Sequence, residues 1–443
     1  MRKTIVFGVT LVLVQVSLLA LTFIESDVFG GAGGDIGRRI ALAPDGGFYV
    51  AGNTESDDGD NDAFLRKYNA NRVLQWERAY GLPLDPTNGF DDEFIEGLAV
   101  GADGSAYMAG MLGTGVLFLA KFDTAGNLLW DSTYGENATI ASGAAVGPDG
   151  NVYVSAHFGG DSSDPTHLES RLLKFDPNGT LVWARAWGGI GEPGVPGFDQ
   201  SHGVATSADG VFMVGETNTF FANDAYLVKF DFNGNLLWQR DWGVDGIQAP
   251  FTGLTSAFGV TTDSAGNAYF TGNTGDSGHL KNIVLVKFSG AGDLIWSKVG
   301  GPGFGGGRDV AVSPDGTAVF VSGSILADDP NFFGGFGFIA EFTSAGKAKK
   351  ANTWGSSPEF SASVESVVVN GAGVVAAAGY VGPGPYEFGR ASNSAKNAAT
   401  HLIIPNGVVQ TLPTLLEAQN GQLLPFDSTT LGGTDAFALW TER

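Results

Sequence analysis

Cysteine is absent from all 443 residues, which excludes a disulfide framework, a thiolate-bound metal and a thiol nucleophile. Basic residues are scarce: 24 Lys and Arg stand against 47 Asp and Glu, for a formal charge of −23. Nucleic acid is therefore not an expected partner, because phosphate binding needs clustered cations. Cations, basic surfaces and simple solubility all fit the acidic balance. A GxSxG nucleophile elbow, a GxxxxGK(S/T) phosphate loop and an HExxH zinc helix are missing as well, and with them the commonest hydrolase, nucleotide and zinc-protease signatures. Glycine is plentiful, at 68 residues, and aromatics make up 12%. That composition suits many short strands joined by tight turns.

At the N-terminus, Arg2 and Lys3 precede an apolar run over 5–23, interrupted only by small or polar residues such as Thr10, Gln15 and Ser17. The pattern is that of an export signal. Ala20 suits a cleavage site but Leu18 does not, so residues 1–20 read as an export signal or an uncleaved anchor, with membrane contact expected only in the second case. The expected location is extracellular, secreted or cell surface.

From Asp35 onward one unit recurs: an apolar strand, an Asp-Gly turn, a strand ending in Gly, a variable connection, a third strand, a Gly turn and a fourth strand with Trp. In the first copy RRIALA (38–43) passes through Asp45-Gly46 to FYVAGNT (48–54), then DAFLRKYN (62–69) to VLQWERAYG (73–81). The turn recurs at Asp103-Gly104, Asp149-Gly150, Asp209-Gly210, Ala265-Gly266, Asp315-Gly316 and Asn370-Gly371, where Gly is expected to supply positive φ. Trp76, Trp130, Trp183, Trp238 and Trp296 mark the fourth strands, with Lys350 in the sixth copy. A four-stranded unit of this period predicts propeller blades. The Trp row is expected to pack between blades, and Asp62, Asp224 and Asp435 to accept backbone N–H groups at the start of third strands.

The seventh copy has strands near 364–369 and 374–380 and a third, DAFALW, at 435–440, after which the sequence ends at Arg443. Its missing fourth strand is supplied by FIESDVFGG (23–31), which matches WDSTYG of the second copy. Residues 23–443 are thus expected to form one all-β, seven-bladed β-propeller of four-stranded antiparallel blades, closed by its N-terminal strand, with an insertion at about 381–434. The insertion reads either as an ordered excursion packed on the rim or face, or as a partner-docking element.

The unit DGxxYVAGxT, then DAFLxKFDxNGxLLW, then YGG resembles the bacterial β-propeller repeat of secreted and surface proteins, the SBBP or delta-60-like repeats. The resemblance spans almost the whole chain after the N-terminal run. It implies the propeller fold and, for activity, an adhesion, binding or scaffold module.

Positions shared by every copy answer a structural need, so function is sought where copies differ, on the face carrying the long connections. Three segments there stand out. SDDGDND (56–62) sets Asp58, Asp60 and Asp62 at alternate positions, oxygen-rich spacing able to wrap calcium or simply to form a solvated acidic loop. HFGGDSSDPTHLES (157–170) holds His157, Asp161, Asp164, His167 and Glu169, with His202 opening the next copy; these imidazoles and carboxylates suit a metal or acid–base site, or a solvated loop. The third is the 381–434 insertion. The expected function is an exported or cell-surface module binding a glycan, surface polymer or protein through the long-connection face. The alternatives are a metal- or carboxylate-dependent polysaccharide hydrolase or lyase using the His157, His167 and His202 sector, and a self-assembling surface protein that donates its closing strand to a neighbour. FDPNGTLVW (175–183) also resembles the docking turns of quinone-dependent dehydrogenases, but seven blades and no Cys pair count against that reading.

Overall fold

Six copies supply four runs rich in β-branched and aromatic residues, the seventh supplies three and the N-terminal segment one more, and each run forms a strand, with no helix among the described residues. The computed structural model describes residues 22–30, 34–55, 61–81, 92–135, 139–161, 164–188, 198–217, 224–244, 253–276, 282–300, 305–326, 335–355, 362–382, 387–390, 396–397, 400–401, 408–411, 416–417, 422–424 and 435–442. Antiparallel pairing of successive strands gives seven blades. Their first strands are Asp35–Leu42, Glu93–Val100, Thr139–Val146, Asp199–Thr206, Gly253–Thr262, Gly305–Val312 and Ala362–Val369. Each first strand contacts the first strand of both neighbouring blades, including the seventh against the first, so these strands line the axis of a closed ring.

Closure is made by the N-terminal strand Thr22–Phe29, which pairs antiparallel with Asp435–Glu442 as the outer strand of the seventh blade. Side chains then lock that strand to the first blade. Tyr68 Oη donates to Asp27 Oδ2 at 2.7 Å, Arg66 Nη1 lies 3.3 Å from the same oxygen, and the Arg66 guanidinium covers the Phe29 ring at 3.7 Å. Phe29 meets Phe64 edge-on at 5.5 Å, and the fully buried Trp440 packs against Phe48 and Tyr68.

The tryptophans join consecutive blades, as their recurrence suggests. The indole N–H of Trp76, Trp130, Trp183, Trp238 and Trp296 donates to a carbonyl in the third-to-fourth-strand turn of the following blade, at Thr124, Pro177, Phe232, Gly290 and Ser344. Gly126, Gly179, Gly292 and Gly346 sit against these rings, where a Cβ would come within about 3 Å. Across the strand pair each Trp faces a lysine, from Lys67 to Lys287, which reaches the Asp of its own blade's first turn: Lys67–Asp45 at 2.9 Å, Lys121–Asp103 at 3.5 Å, Lys174–Asp149 at 2.8 Å, Lys229–Asp209 at 2.9 Å and Lys287–Asp263 at 3.5 Å. The hydrogen bond from Lys229 holds Asp209 below its ordinary value. In Asp45, Asp103, Asp149 and Asp263 burial pushes the carboxyl up, yet donors from Lys, Ser, Asn or Tyr side chains and turn N–H groups outweigh it and leave each lowered. The sixth blade reverses the charges, with Glu341 opposite Lys350 and ion-paired to Lys349.

Two turns differ from the sequence expectation. Gly46, Gly104, Gly150, Gly266 and Gly316 have positive φ, but Gly210 and Gly371 do not. In the fourth blade a shorter turn closes with Ser207 N–H donating to Gly210 O. In the seventh, Gly373 takes the left-handed position at φ 82° and its N–H donates to Asn370 O.

Between Val381 and Asp435, six short described strands lie on the outer edges of the other six blades. Glu387–Arg390 pairs with the outer strand of the sixth blade, Lys396–Asn397 with the fifth, Thr400–His401 with the fourth, Val408–Thr411 with the third, Leu416–Glu417 with the second and Gln422–Leu424 with the first. The chain then enters the seventh blade as its third strand. Every pairing falls at the C-terminal end of the outer strand, at Tyr80-Gly81, Tyr134, Trp187-Gly188, Gly243, Val299 or Trp354-Gly355. The belt thereby satisfies backbone groups that the outer edge of a blade leaves open.

Two outcomes follow. Deleting residues 22–29 is expected to bare the edge of Asp435–Glu442 and cause association in light scattering together with a lowered melting temperature; a monodisperse deletion product of unchanged stability would contradict closure. Gly373→Ala is expected to cost about 1–2 kcal/mol in urea denaturation, whereas Gly371→Ala, with nothing within 4 Å of its added Cβ, stays within about 0.5 kcal/mol of the parent.

Candidate functional site

One irregularity repeats at the axis. In every blade the pairing of the first strand with the second slips by one residue, at Gly37/Arg39, Ile95/Gly97, Ala141/Gly143, Ser201/Gly203, Ala257/Gly259, Gly307/Asp309 and Val364/Ser366. The skipped residues are Arg38, Glu96, Ser142, His202, Phe258, Arg308 and Glu365, and all seven line one cavity of about 350 Å³ on the axis. A bulge frees one side chain from the alternation of the sheet and re-aims it; here it aims one side chain per blade into a shared space. Gly follows the bulge in four consecutive blades, at Gly97, Gly143, Gly203 and Gly259. A Cβ at Gly97, Gly203 or Gly259 would fall 2.6–2.8 Å from backbone of the next blade's first strand, so glycine allows these strands to approach closely.

The remaining wall comes from Ile140, Ala141, His157, Gln200 and Arg39. Ile140 and Gln200 precede the bulge, so the cavity lies toward the end where first strands begin, which is the long-connection end. A second space of about 140 Å³ continues past the bulge among Ile40, Leu98, Ala144, Val204 and Val260. Between them, Arg39, Asp309 and Ser366 follow the bulge in the first, sixth and seventh blades, where the other four carry Gly. Arg39 Nε donates to Glu96 O at 2.8 Å and its Nη1 to Arg38 O at 3.0 Å. Burial pushes the Asp309 carboxyl up, opposed by Ser366 Oγ at 2.7 Å, the attraction of Arg39 and the N–H groups of Val367 and Val310.

Charge is unevenly placed around the ring. The sixth, seventh, first and second blades contribute Arg308, Glu365, Arg38 and Glu96, an alternating arc in which Arg308 Nε lies 3.8 Å from Glu365 and Arg38 Nε 3.9 Å from Glu96. The third to fifth blades contribute Ser142, His202 and Phe258. Ser142 Oγ is 2.9 Å from Ser201 Oγ, the His202 ring packs tilted at 48° against Phe258 with centroids 4.8 Å apart, and the Arg308 guanidinium lies over the same ring at 5.3 Å. His202 Nε2 is 3.7 Å from Glu216 Oε1, beyond hydrogen-bond reach.

Of the residues singled out from the sequence, His157 and His202 meet at this cavity. His157 does so from a strand and not from a loop, and His202 from the first strand of the fourth blade, as its place in the repeat suggests. The second and third strands of the third blade, Val152–Asp161 and Asp164–Phe175, are unusually long and pair as far as Asp161 opposite Asp164. The presumed loop is thus an extended hairpin whose cross-strand hydrogen bonds continue beyond those of other blades. Glu169 on it is ion-paired to Arg171 at 2.8 Å, and Arg171 covers Phe158 at 4.2 Å. The side chains of Asp161, Asp164 and His167 lie outside the described residues, as do Asp58 and Asp60; Asp62 sits in the third strand of the first blade opposite Thr54. Among the described residues no three His, Asp or Glu side chains converge to hold a metal. Sequence reasoning missed six of the seven bulge residues, all but His202; the signal available was the Gly directly after the bulge, at 97, 143, 203 and 259.

No family model matches the sequence, and no curated protein does. Among solved structures, a chain in the crystal structure of a mitotic checkpoint complex is similar at 9% identity with a TM-score of 0.33, covering 68% of this chain and 92% of that one.

His157 is buried and lines the cavity. Burial, with the adjacent His202 adding to it, pushes its imidazole down to about 4. The unfolded chain therefore holds more protons than the folded one between the ordinary value of 6.5 and about 4, so stability is expected to fall as pH drops through that window. Below it, the lowered turn aspartates contribute the further loss. Urea midpoints measured from pH 7 to 4 for the parent and for His157→Phe check this: the variant flattens the slope, and an unchanged slope would contradict a neutral buried His157.

Proposed function

We propose that this chain is an exported or cell-surface binding module that uses its closed ring as a rigid platform and its axial cavity to receive a group carried by a glycan, a surface polymer or a protein. The observation that carries this reading is the bulge ring. The same position in all seven repeats is turned into one cavity, and it is the position at which the repeats carry Arg, Glu, Ser, His, Phe, Arg and Glu in turn. A purely structural position would carry one residue type, as the Trp row and the turn glycines do. A set of seven different side chains at the end of a rigid scaffold suits selective recognition.

Two further features support the setting. The basic and apolar run within residues 1–23 fits export. The net charge of −23 keeps such a platform soluble and repels polyanions, leaving neutral or basic partners favoured.

The reading is tested by offering the full-length chain immobilised cell-wall polysaccharides, extracellular glycans and surface proteins, and recovering the bound material. Saturable capture of one class with the ligand unchanged in mass is expected. Release of shortened products from a polysaccharide would replace binding with catalysis, and absence of saturable capture across the three classes would contradict the proposal.

A further inference from the structure

Resting on the binding reading above, the geometry points to a neutral sugar residue, one ring in size, as the occupant of the axial cavity: we infer that the alternating arc of Arg308, Glu365, Arg38 and Glu96 binds its vicinal hydroxyls while Phe258 covers its C–H face. A guanidinium only donates and an ionised carboxylate only accepts, whereas a hydroxyl does both. An arc that alternates donor, acceptor, donor, acceptor is therefore matched by a run of adjacent hydroxyls, each accepting from one Arg and donating to one Glu.

The arc is also incompletely satisfied by itself. Its two internal ion pairs stand at 3.8 and 3.9 Å, longer than a hydrogen bond; Arg39 Nη2 reaches Glu96 Oε2 at 3.4 Å from outside the arc, and Arg38 Nε is buried without a hydrogen-bond partner. A buried donor in that state is costly, and a bridging hydroxyl relieves it. His202 Nε2, on the opposite side of the cavity, is likewise buried without a hydrogen-bond partner and offers one more polar contact. Beside it stands Phe258, the one phenyl ring among the bulge residues, suited to the apolar face that a sugar ring presents.

Size and charge narrow the class. A cavity of about 350 Å³ lies at the lower end of the ~300–1,000 Å³ range of ligand sites and suits one ring better than a long oligosaccharide. Each Arg of the arc has a Glu as its neighbour, and the third guanidinium of the wall, Arg39, lies 3.4 Å from Glu96 Oε2 and is attracted to the buried Asp309, so each arginine of the wall faces a carboxylate. A charged sugar would face a like charge one position away, a juxtaposition that costs affinity.

The test uses the full-length chain and a panel of free sugars: glucose, galactose, mannose, xylose and fucose, with glucuronic acid and glucosamine as charged controls. Saturation-transfer NMR and calorimetry are read for the parent, Glu365→Gln, Arg308→Lys and Phe258→Leu, each first checked for an unchanged circular-dichroism spectrum and melting temperature. Binding of at least one neutral sugar, weakened about tenfold or more by at least two folded variants, is expected. Binding only of the charged controls, or binding of a neutral sugar that all three folded variants leave unchanged, overturns the inference. No binding of any panel member also overturns it, and if a polymer or protein is still captured equally by the parent and Glu365→Gln, the binding reading stands while the cavity assignment falls.

Discussion

A ring of radiating sheets leaves two raw edges unless the last sheet is completed by the first stretch of chain. Here the pairing of Thr22–Phe29 with Asp435–Glu442 makes that join, and the remaining structure depends on it. Asp27 reaches Tyr68 and Arg66 in the first blade, and Phe29 reaches Phe64, so the join is a sheet pairing on one side and an inter-blade contact on the other. The axial polar contacts cluster at the same seam: Arg39, Asp309 and Ser366 take the place after the bulge in the first, sixth and seventh blades, where the other four carry glycine. Four blades meet there through close backbone approach, and three through hydrogen bonds and charge.

The belt adds a second circumferential restraint. Its short pairings at the ends of six outer strands mean that the third strand of the seventh blade is reached only after the chain has passed every other blade. Both termini of the ring and its rim are consequently coupled to one sheet. Contacts this distant in sequence are formed late and slowly in folding, and a rigid finished ring is what allows seven single side chains to hold one cavity at its axis.

Much of this was legible in the sequence because it recurs. The Asp-Gly turns, the Trp row and the aromatic-Gly strand ends repeat at one period, and the orphan copy of the fourth strand at 23–31 announces the closure. Two parts were hidden for opposite reasons. The belt touches each blade through two to four residues, too few to carry a periodic pattern, so its course around the rim has no local signature. The cavity was hidden because its residues differ by design of the site: Arg38, Glu96, Ser142, His202, Phe258, Arg308 and Glu365 share a position but no chemistry, and a search for shared residues passes over them. His157 was noticed for its side chain, yet placed in a loop, because a hairpin whose strands run three to six residues longer than those of the adjoining blades reads locally as polar connection. The turn at Gly373 was missed in favour of Gly371 because the sequence offers two glycines and only hydrogen bonding to Asn370 selects between them.

The central claim is that the bulged positions of seven blades together make one binding site on the axis. It is tested most directly by a crystal structure of the chain soaked with a neutral monosaccharide at saturating concentration. The account predicts ring-shaped density on the axis, with hydroxyls between Arg308, Glu365, Arg38 and Glu96 and the opposite face against Phe258. Ligand density confined to the outer connections or the rim, with the axial cavity unchanged, would contradict it.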